Sequence, residues 1–340
     1  GLAGAALAAP AIASAQQTFN WKMTSAYGKG SPFYMDGPGS ATDLARRIRD
    51  MSGGRLNIQV FGAGELVPAF GVVDAVQAGT VECGHTANYY YIGKDPAFAL
   101  GTAIPFGLNA RMTNSWFMAG GGNELLNEFL ASHKLYALPA GNTGAQMGGW
   151  YRKEIKTIDD LKGLKMRIAG LAGDVMSKVG VTPQQIAGSD VYPALEKGTI
   201  DATEFVGPYD DLKLGFYKVA PYYYYPAWWE GGPTVHAFFN LDKFNELPES
   251  YQSILTDACA AANARMLARY DASNATALRE LVANGTQLRA FSSEILDVCH
   301  KAAKETYAEL SAKNENFKKL FDSQQAFKQD AYLWAQIADY

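Results

Sequence analysis

From Thr18 onward, segments that read as strands alternate with segments that read as helices, and after Asn142 the alternation begins again. "TFNWKMTS" (18–25) has the pattern of a strand. "ATDLARRIRDMSGG" (41–54) has the apolar spacing of an amphipathic helix and ends on glycine. "LNIQVFGAGEL" predicts a strand and turn, and "AFGVVDAVQAGTVECGHT" a helix, a stop at Gly79 and another strand. In the second series "AQMGGWYRK" (145–153) is strand-like, Thr157 caps a helical turn, and "LKMRIAG" is a strand leaving at a glycine. "AGDVMSKVG", "TPQQIA" and "SDVYPALEKGTIDATEF" continue the alternation, and "TVHAFFN" (234–240) adds a strand. Such a rhythm predicts an α/β fold with parallel strands and helices on the sheet faces. Two such series predict two lobes with a cleft between them, and ligands in open α/β sheets sit near the carboxyl ends of the strands.

The lobes are expected to share the chain unevenly. Lobe one takes residues 17–142 and 232–268, and lobe two takes 143–231 and 269–315. A long helix within 248–284 braces both, and 317–340 forms a C-terminal helix. With 340 residues and 48% apolar content the chain can bury the cores this requires. Residues 1–15 read as the remnant of a secretory signal: small, apolar, and ending in Ala13-Ser14-Ala15 before the polar Gln16-Gln17. No other apolar run reaches the roughly 18 residues of a membrane helix. The expected location is therefore outside the cytoplasm.

The net charge is -4 and no basic run appears, which argues against a nucleic-acid partner. His85, His133, His236 and His300 lack the close spacing of a zinc site. Cys83, Cys259 and Cys299 are too few for a disulfide framework and read as separate buried thiols, with one pairing left open. There is no GxSxG, no Walker A and no GxGxxG opening a helix after a strand.

The segment Thr199–Gly232 sets Glu204 and Glu230 among tyrosines, tryptophans and glycines. A carboxylate in such surroundings is costly to bury unless it is paired or coordinates a cation. Glu204 ends a strand, Gln146 begins one, and Glu230 precedes two glycines that permit close backbone approach. Carboxylate oxygens with an amide oxygen suit a hard cation, Na⁺ or Ca²⁺. Arg167 ends a strand and can offer a two-pronged donor to a carboxylate. Read alone, Arg167 is an exposed strand end and each glutamate a solvated loop residue. Asn88, Tyr89, Tyr90 and Tyr91 follow a strand and read equally as a polar, aromatic cleft wall or as sheet-edge packing. "YYYY" (222–225) reads as a buried strand. An exported hydrolase using Glu204 or Glu230 as acid or base is the alternative function, disfavoured by the missing nucleophile motif. An adhesin would need an exposed apolar patch instead.

"DLKGLKMRIAG", "MGGWYRKEI" and "VYPALEKGTIDATEFVGPYDDLKLGFYKVAPYYYYPAWWEGG" together resemble the DctP-type substrate-binding proteins of TRAP (tripartite ATP-independent periplasmic) transporters, and the likeness covers nearly everything after the leader. The last stretch is similar to the subgroup that binds 2-oxo or 2-hydroxy acids, of the pyruvate or lactate class, with a metal ion. The resemblance implies a periplasmic binding protein, not an enzyme, that delivers a small organic acid to the transporter's membrane subunits. It implies that Arg167 holds the substrate carboxylate. It implies that Gln146, Glu204, Glu230 and the backbone carbonyl of Phe205 hold the cation, Na⁺ or Ca²⁺. Phe205 stands where many relatives carry Trp, which alters the pocket wall and puts the preferred acid in doubt. Asn88, Tyr89 and Tyr90 fall where the other lobe contacts substrate, alongside Gln146, Phe205 and Glu230.

The tail carries Phe317, Leu320, Phe321, Phe327, Tyr332, Leu333, Trp334 and Ile337, more apolar residues than one stripe of a helix needs. Some relatives exchange a C-terminal helix between protomers, so the resemblance raises a helix-swapped homodimer. A helix kinked near Asp322-Ser323 and folded back on its own subunit is the alternative.

Overall fold

A computed structural model of the chain describes residues 17–35 and 37–338, so the leader read at 1–15 lies outside the described residues. Among the described residues eleven strands form two sheets. The first contains β1 (Phe19–Ser25), β2 (Leu56–Phe61), β3 (Cys83–Thr86), β4 (Leu135–Asn142) and β10 (Thr234–Asn240), in the order β2-β1-β3-β10-β4. The second contains β5 (Trp150–Tyr151), β6 (Lys165–Arg167), β7 (Thr182–Gln184), β8 (Ala202–Thr203), β9 (Tyr222–Tyr225) and β11 (Gln287–Ala290), in the order β11-β9-β5-β8-β6-β7.

Neither sheet is purely parallel, which corrects the reading of the alternation. β10 lies antiparallel between β3 and β4, and β5 lies antiparallel to both β8 and β9. A helix connection makes neighbours parallel only when the chain stays in one sheet. Here it changes sheet between β4 and β5 and returns between β9 and β10. All seven residues of β10 are buried, as expected of a central strand covered on both faces.

Local chemistry sets the elements. Ser40 caps the helix Ala41–Met51 by accepting from the Asp43 amide, and Leu44, Ala45 and Ile48 turn one stripe inward. Burying Leu44 and Ile48 stabilises the lobe by about 1.5–3 kcal/mol each. Thr157 forms a capping box with Asp160. The helix Glu249–Ala283 packs against β4, against the helix Ala41–Met51 and against the helix Pro208–Leu214, so it touches elements around both sheets. All three cysteines are free and buried. Tyr223 and Tyr224 of β9 are buried, whereas Tyr225 is exposed.

The C-terminal helix, Glu315–Ala338, runs without a break through Asp322-Ser323. Its first half rests on its own chain: Phe317 and Leu320 are buried, and Trp116 Nε1 donates to Ser323 Oγ at 3.3 Å. Its last turns expose Leu333 (63%), Trp334 (59%) and Ile337 (76%).

Candidate functional site

Parallel pairing of β6 with β8 aligns Arg167 with Thr203, so Arg167 and Glu204 come to the same sheet edge. Both are buried, at 1% and 0% exposure. Arg167 Nη1 donates to Glu204 Oε1 and to the Glu204 carbonyl (3.0 Å), and Nε donates to the Ile186 carbonyl (3.1 Å). The Ala169 amide also donates to Glu204 Oε1 (3.1 Å). Neither residue is the solvated group that its sequence context alone suggested. Nη1 commits both hydrogens to Glu204 and Nε is taken by Ile186, which leaves Nη2 as the guanidinium nitrogen without a protein acceptor.

Glu230 and Gln146 lie on the two segments that cross between the sheets, and the Gln146 amide donates to the Glu230 carbonyl at 3.2 Å. Gln146 does not begin a strand. The ladder starts only at Trp150, after Gly148 and Gly149. Gly232 lets the Glu230 segment approach closely, since a Cβ there would stand 2.3 Å from the Ala110 backbone. Glu230 is 2% exposed.

Glu204 Oε2 and Gln146 Oε1 are buried with no hydrogen-bond partner, and Glu230 has the Tyr89 side chain beside it but no hydrogen bond of good geometry to either oxygen. Gln146 spends its Nε2 on Thr143 Oγ1 (3.2 Å), which leaves the amide oxygen as the remaining polar atom. Orphaned buried acceptors on this scale are unusual and need a donor or a cation. Two carboxylates and an amide oxygen match the hard-oxygen preference of Na⁺ or Ca²⁺. Among the described residues no group of three His, Cys, Asp or Glu side chains could hold a metal, so a cation would depend on this mixed set.

The electrostatics point the same way. Burial pushes the Glu230 carboxyl well above the usual carboxylate range, and neighbouring Glu204 adds to it, while Arg167 and the Tyr89 side chain oppose them. Burial raises Glu204 too, against the pull of Arg167 and the Ala169 amide. For Arg167 burial works against the charge, but Glu204, Tyr90, Tyr89 and Glu230 together hold it above the ordinary arginine value. One guanidinium facing two carboxylates leaves the cluster short of positive charge.

Tyr89 and Tyr90 bring the first lobe to the cluster. They line a cavity of about 20 Å³ with Tyr27, Thr102, Gln146 and Phe205. Phe205 also carries the Arg167 guanidinium 5.5 Å from its ring centroid. A groove of about 330 Å³ opens on the far side of Tyr27 and Phe205. Asn88 is placed differently from its sequence reading. It is fully buried and absent from the cavity wall, and its Nδ2 lies 2.9 Å from His236 Nδ1 on β10. The short 3₁₀ turn Asn88–Tyr91 sends successive side chains in different directions, so Asn88 faces the sheet while Tyr89 faces the cleft. The wall residues Tyr27, Phe33 and Thr102 were missed by sequence reasoning. Tyr27 and Phe33, stacked with centroids 4.3 Å apart, carry no motif beyond an aromatic pair in a glycine-rich loop.

The lobes meet closely. Gln185 Nε2 donates to the Tyr90 carbonyl at 3.1 Å, and Tyr89 packs with Ala169. Gly170 has φ +65°, and a Cβ on it would stand 2.7 Å from the Tyr89 ring. Gly170→Val is therefore expected to hold the lobes apart. Overpacking of this kind costs about 1–3 kcal/mol, so acid affinity should drop about tenfold or more. Small-angle scattering should show the variant still open at saturating ligand. A variant that closes and binds like the parent would show that this contact plays no part in closure.

Two α/β lobes linked by crossing segments, with a buried charged cluster at the crossings, have the architecture of a solute-binding protein. The chain belongs to the bacterial extracellular solute-binding proteins of family 7, whose sequence profile matches residues 38–314. It is 48% identical over 317 residues to the monocarboxylate 2-oxoacid-binding periplasmic protein of Nostoc sp., covering 93% of this chain and 86% of that protein. Among solved structures it is similar to a TRAP transporter solute-binding protein of Bordetella bronchiseptica, at 46% identity and TM-score 0.92, covering 95% and 96% of the two chains. That protein is a mixed-occupancy dimer with calcium and picolinate in one site. A TRAP periplasmic solute-binding protein of Pseudoalteromonas atlantica, with sodium and pyruvate bound, matches at 37% identity and TM-score 0.91, covering 95% and 98%. Among the described residues no helix is long and apolar enough to cross a membrane.

Proposed function

We propose that this protein captures a small 2-oxo or 2-hydroxy monocarboxylate together with a metal ion in the periplasm and hands the acid to the membrane subunits of a TRAP transporter. The observation that carries the proposal is the set of buried, under-satisfied oxygens on Glu204, Glu230 and Gln146 beside Arg167. Those side chains, with the Phe205 carbonyl, would hold the cation. Arg167 would take the substrate carboxylate through Nη2, and Tyr89 and Tyr90 would close over it from the first lobe.

Charge and chelation explain why acid and cation would bind together. A monocarboxylate adds a second net negative charge to the cluster, which a divalent ion cancels; Na⁺ would suffice if Glu230 kept its proton. Pyruvate offers a carboxylate oxygen and a neighbouring carbonyl oxygen to one metal ion. Picolinate offers a carboxylate and a neighbouring ring nitrogen, the same five-membered chelate. The ligands of the two solved relatives thus share one chemistry. Closure of the lobes, a hinge motion, would shield the charges and strengthen their attraction.

The ligand is returned unchanged in this reading. The family is one of binding proteins, so the hydrolase alternative for Glu204 and Glu230 is not carried further. Mass spectrometry of the small molecule released from purified protein, with elemental analysis of the metal, tests the proposal. A 2-oxo or 2-hydroxy acid with stoichiometric sodium or calcium is expected. A neutral or cationic solute with no metal would refute it.

The exposed end of the C-terminal helix supports a homodimer. Leu333, Trp334 and Ile337 would be covered by a second copy, either by the exchange of helices or by contact between them. Changing all three to Ser leaves Phe317 and Leu320 in place, so the subunit should stay folded. Light scattering should read a dimer for the parent and a monomer for the triple variant. A monomeric parent, or a variant that remains dimeric, would defeat the idea.

A further inference from the structure

Four of the six backbone polar groups of the segment Glu204–Val206 are held by hydrogen bonds, those of Glu204 and of Val206. The Glu204 amide donates to the Arg167 carbonyl (3.1 Å), and the Glu204 carbonyl accepts from Thr203 Oγ1 (2.8 Å) as well as Arg167. The Val206 carbonyl accepts from the Met147 amide at 2.9 Å. The Val206 amide donates to Asp211 Oδ1 at 3.4 Å. Among the described residues neither the Phe205 amide nor the Phe205 carbonyl has a hydrogen bond, and of the two only the carbonyl can serve a cation.

Asp211 is itself rigidly held. It is 1% exposed, on the helix Pro208–Leu214. Its Oδ2 accepts from Trp150 Nε1 (3.0 Å) and from the Tyr223 hydroxyl (2.7 Å). Those rings belong to paired residues of β5 and β9 and stack with centroids 3.9 Å apart. One carboxylate thus ties the sheet, through Oδ2, to the Val206 amide, through Oδ1.

The Val206 N–H and the Phe205 C=O belong to one planar trans peptide unit, in which they point opposite ways. An acceptor fixed on the N–H side therefore aims the carbonyl to the other side. A negatively charged acceptor also polarises the unit and makes the carbonyl oxygen a better cation ligand. We infer that Asp211 is a positioning residue that aims the Phe205 carbonyl at the cation, an inference resting on the cation site proposed above. It touches neither substrate nor metal.

Asp211→Asn separates this role from simple support. Asn has one acceptor oxygen, which Trp150 and Tyr223 hold in the Oδ2 position because indole N–H can only donate. The new NH₂ then confronts the Val206 N–H, and the aiming bond is lost. Trp150→Phe removes a framework bond but leaves the Val206 bond intact. Calcium should be titrated into metal-stripped protein with saturating pyruvate, followed by calorimetry. At pH 8 Asp211 is ionised, above the value of about 7 to which burial raises it. Asp211→Asn is expected to weaken calcium about 10–100-fold, the range for residues that orient a metal ligand. Trp150→Phe is expected to lower the unfolding temperature with calcium affinity retained.

A second measurement needs no variant. Phe-Val occurs once in the chain, so carbonyl-¹³C phenylalanine with ¹⁵N valine labels this peptide unit alone. Its carbonyl resonance should move when calcium and pyruvate are added. Asp211→Asn with unaltered calcium affinity overturns the inference. So does a loss of calcium in both variants in proportion to lost stability, or a carbonyl resonance that stays put. Parent protein whose pyruvate binding is indifferent to calcium would sink the cation site itself, and this inference with it.

Discussion

Glu230→Gln is expected to reduce calcium-supported binding of pyruvate by about 100-fold or more. A cation loses one full negative charge among its ligands, and at an effective dielectric of about 20 a contact charge pair is worth on the order of 4 kcal/mol. The substitution keeps shape and one oxygen, so the fold should hold. Glu230 also predicts a pH dependence. Without metal its carboxyl is raised well above the usual range by burial and by Glu204, so it carries a proton at pH values where an exposed glutamate would not. Calcium, which needs both carboxylates charged, must displace that proton. Falling pH favours the protonated, metal-free form, so metal affinity should fall as pH falls below the raised value and level off above it. Glu230→Gln has no proton to release there, and its profile should be flatter. Calorimetry of parent and variant across pH 5–8 reads both effects. Equal calcium affinities in the two proteins would remove Glu230 from the ligand set.

Arg167→Lys should cost nearly as much for a different reason. The charge remains, but one ammonium cannot span the Ile186 carbonyl, the Glu204 carbonyl and Glu204 Oε1 while still meeting a substrate carboxylate. Loss of a charge-assisted bond is worth about 1.5–3 kcal/mol, roughly 10–150-fold in affinity. Arg167→Met tests the other half of the pairing. It strands Glu204 at 0% exposure without its counter-charge, and breaking a buried pair in this way destabilises by about 3–5 kcal/mol. Added calcium should restore part of that loss, because the cation replaces the missing positive charge. Wild-type affinity in the lysine variant would exclude Arg167 as the carboxylate anchor.

Much of this arrangement was legible in the sequence because it depends on local pattern. The strand Thr234–Asn240 and the helix Glu249–Ala283 follow from apolar periodicity and flanking turn residues. The costly placement of Glu204 and Glu230 among aromatics was also visible. The rest depends on contacts between distant residues. That β10 enters the first sheet antiparallel, between β3 and β4, is a tertiary choice with no local signature. Gln146 looked like the start of a strand, but Gly148 and Gly149 delay the ladder and leave it on a crossing segment. Asn88 and Tyr89 are neighbours in sequence, and only the geometry of the turn decides which of them faces the cleft. Asp211 drew no attention as one acidic residue of "GPYDDLKL". Its significance comes from Trp150, 61 residues away, and from Tyr223 on the neighbouring strand.

The central claim is that acid and cation bind as one unit, each completing the other's site. The most direct measurement is calorimetry of pyruvate and lactate binding to protein stripped by chelation and exchanged into sodium-free buffer, then restored with calcium or with sodium. Binding should be lost from the stripped sample and should return with one of the two ions. A stripped sample that binds either acid as tightly as untreated protein would contradict the account.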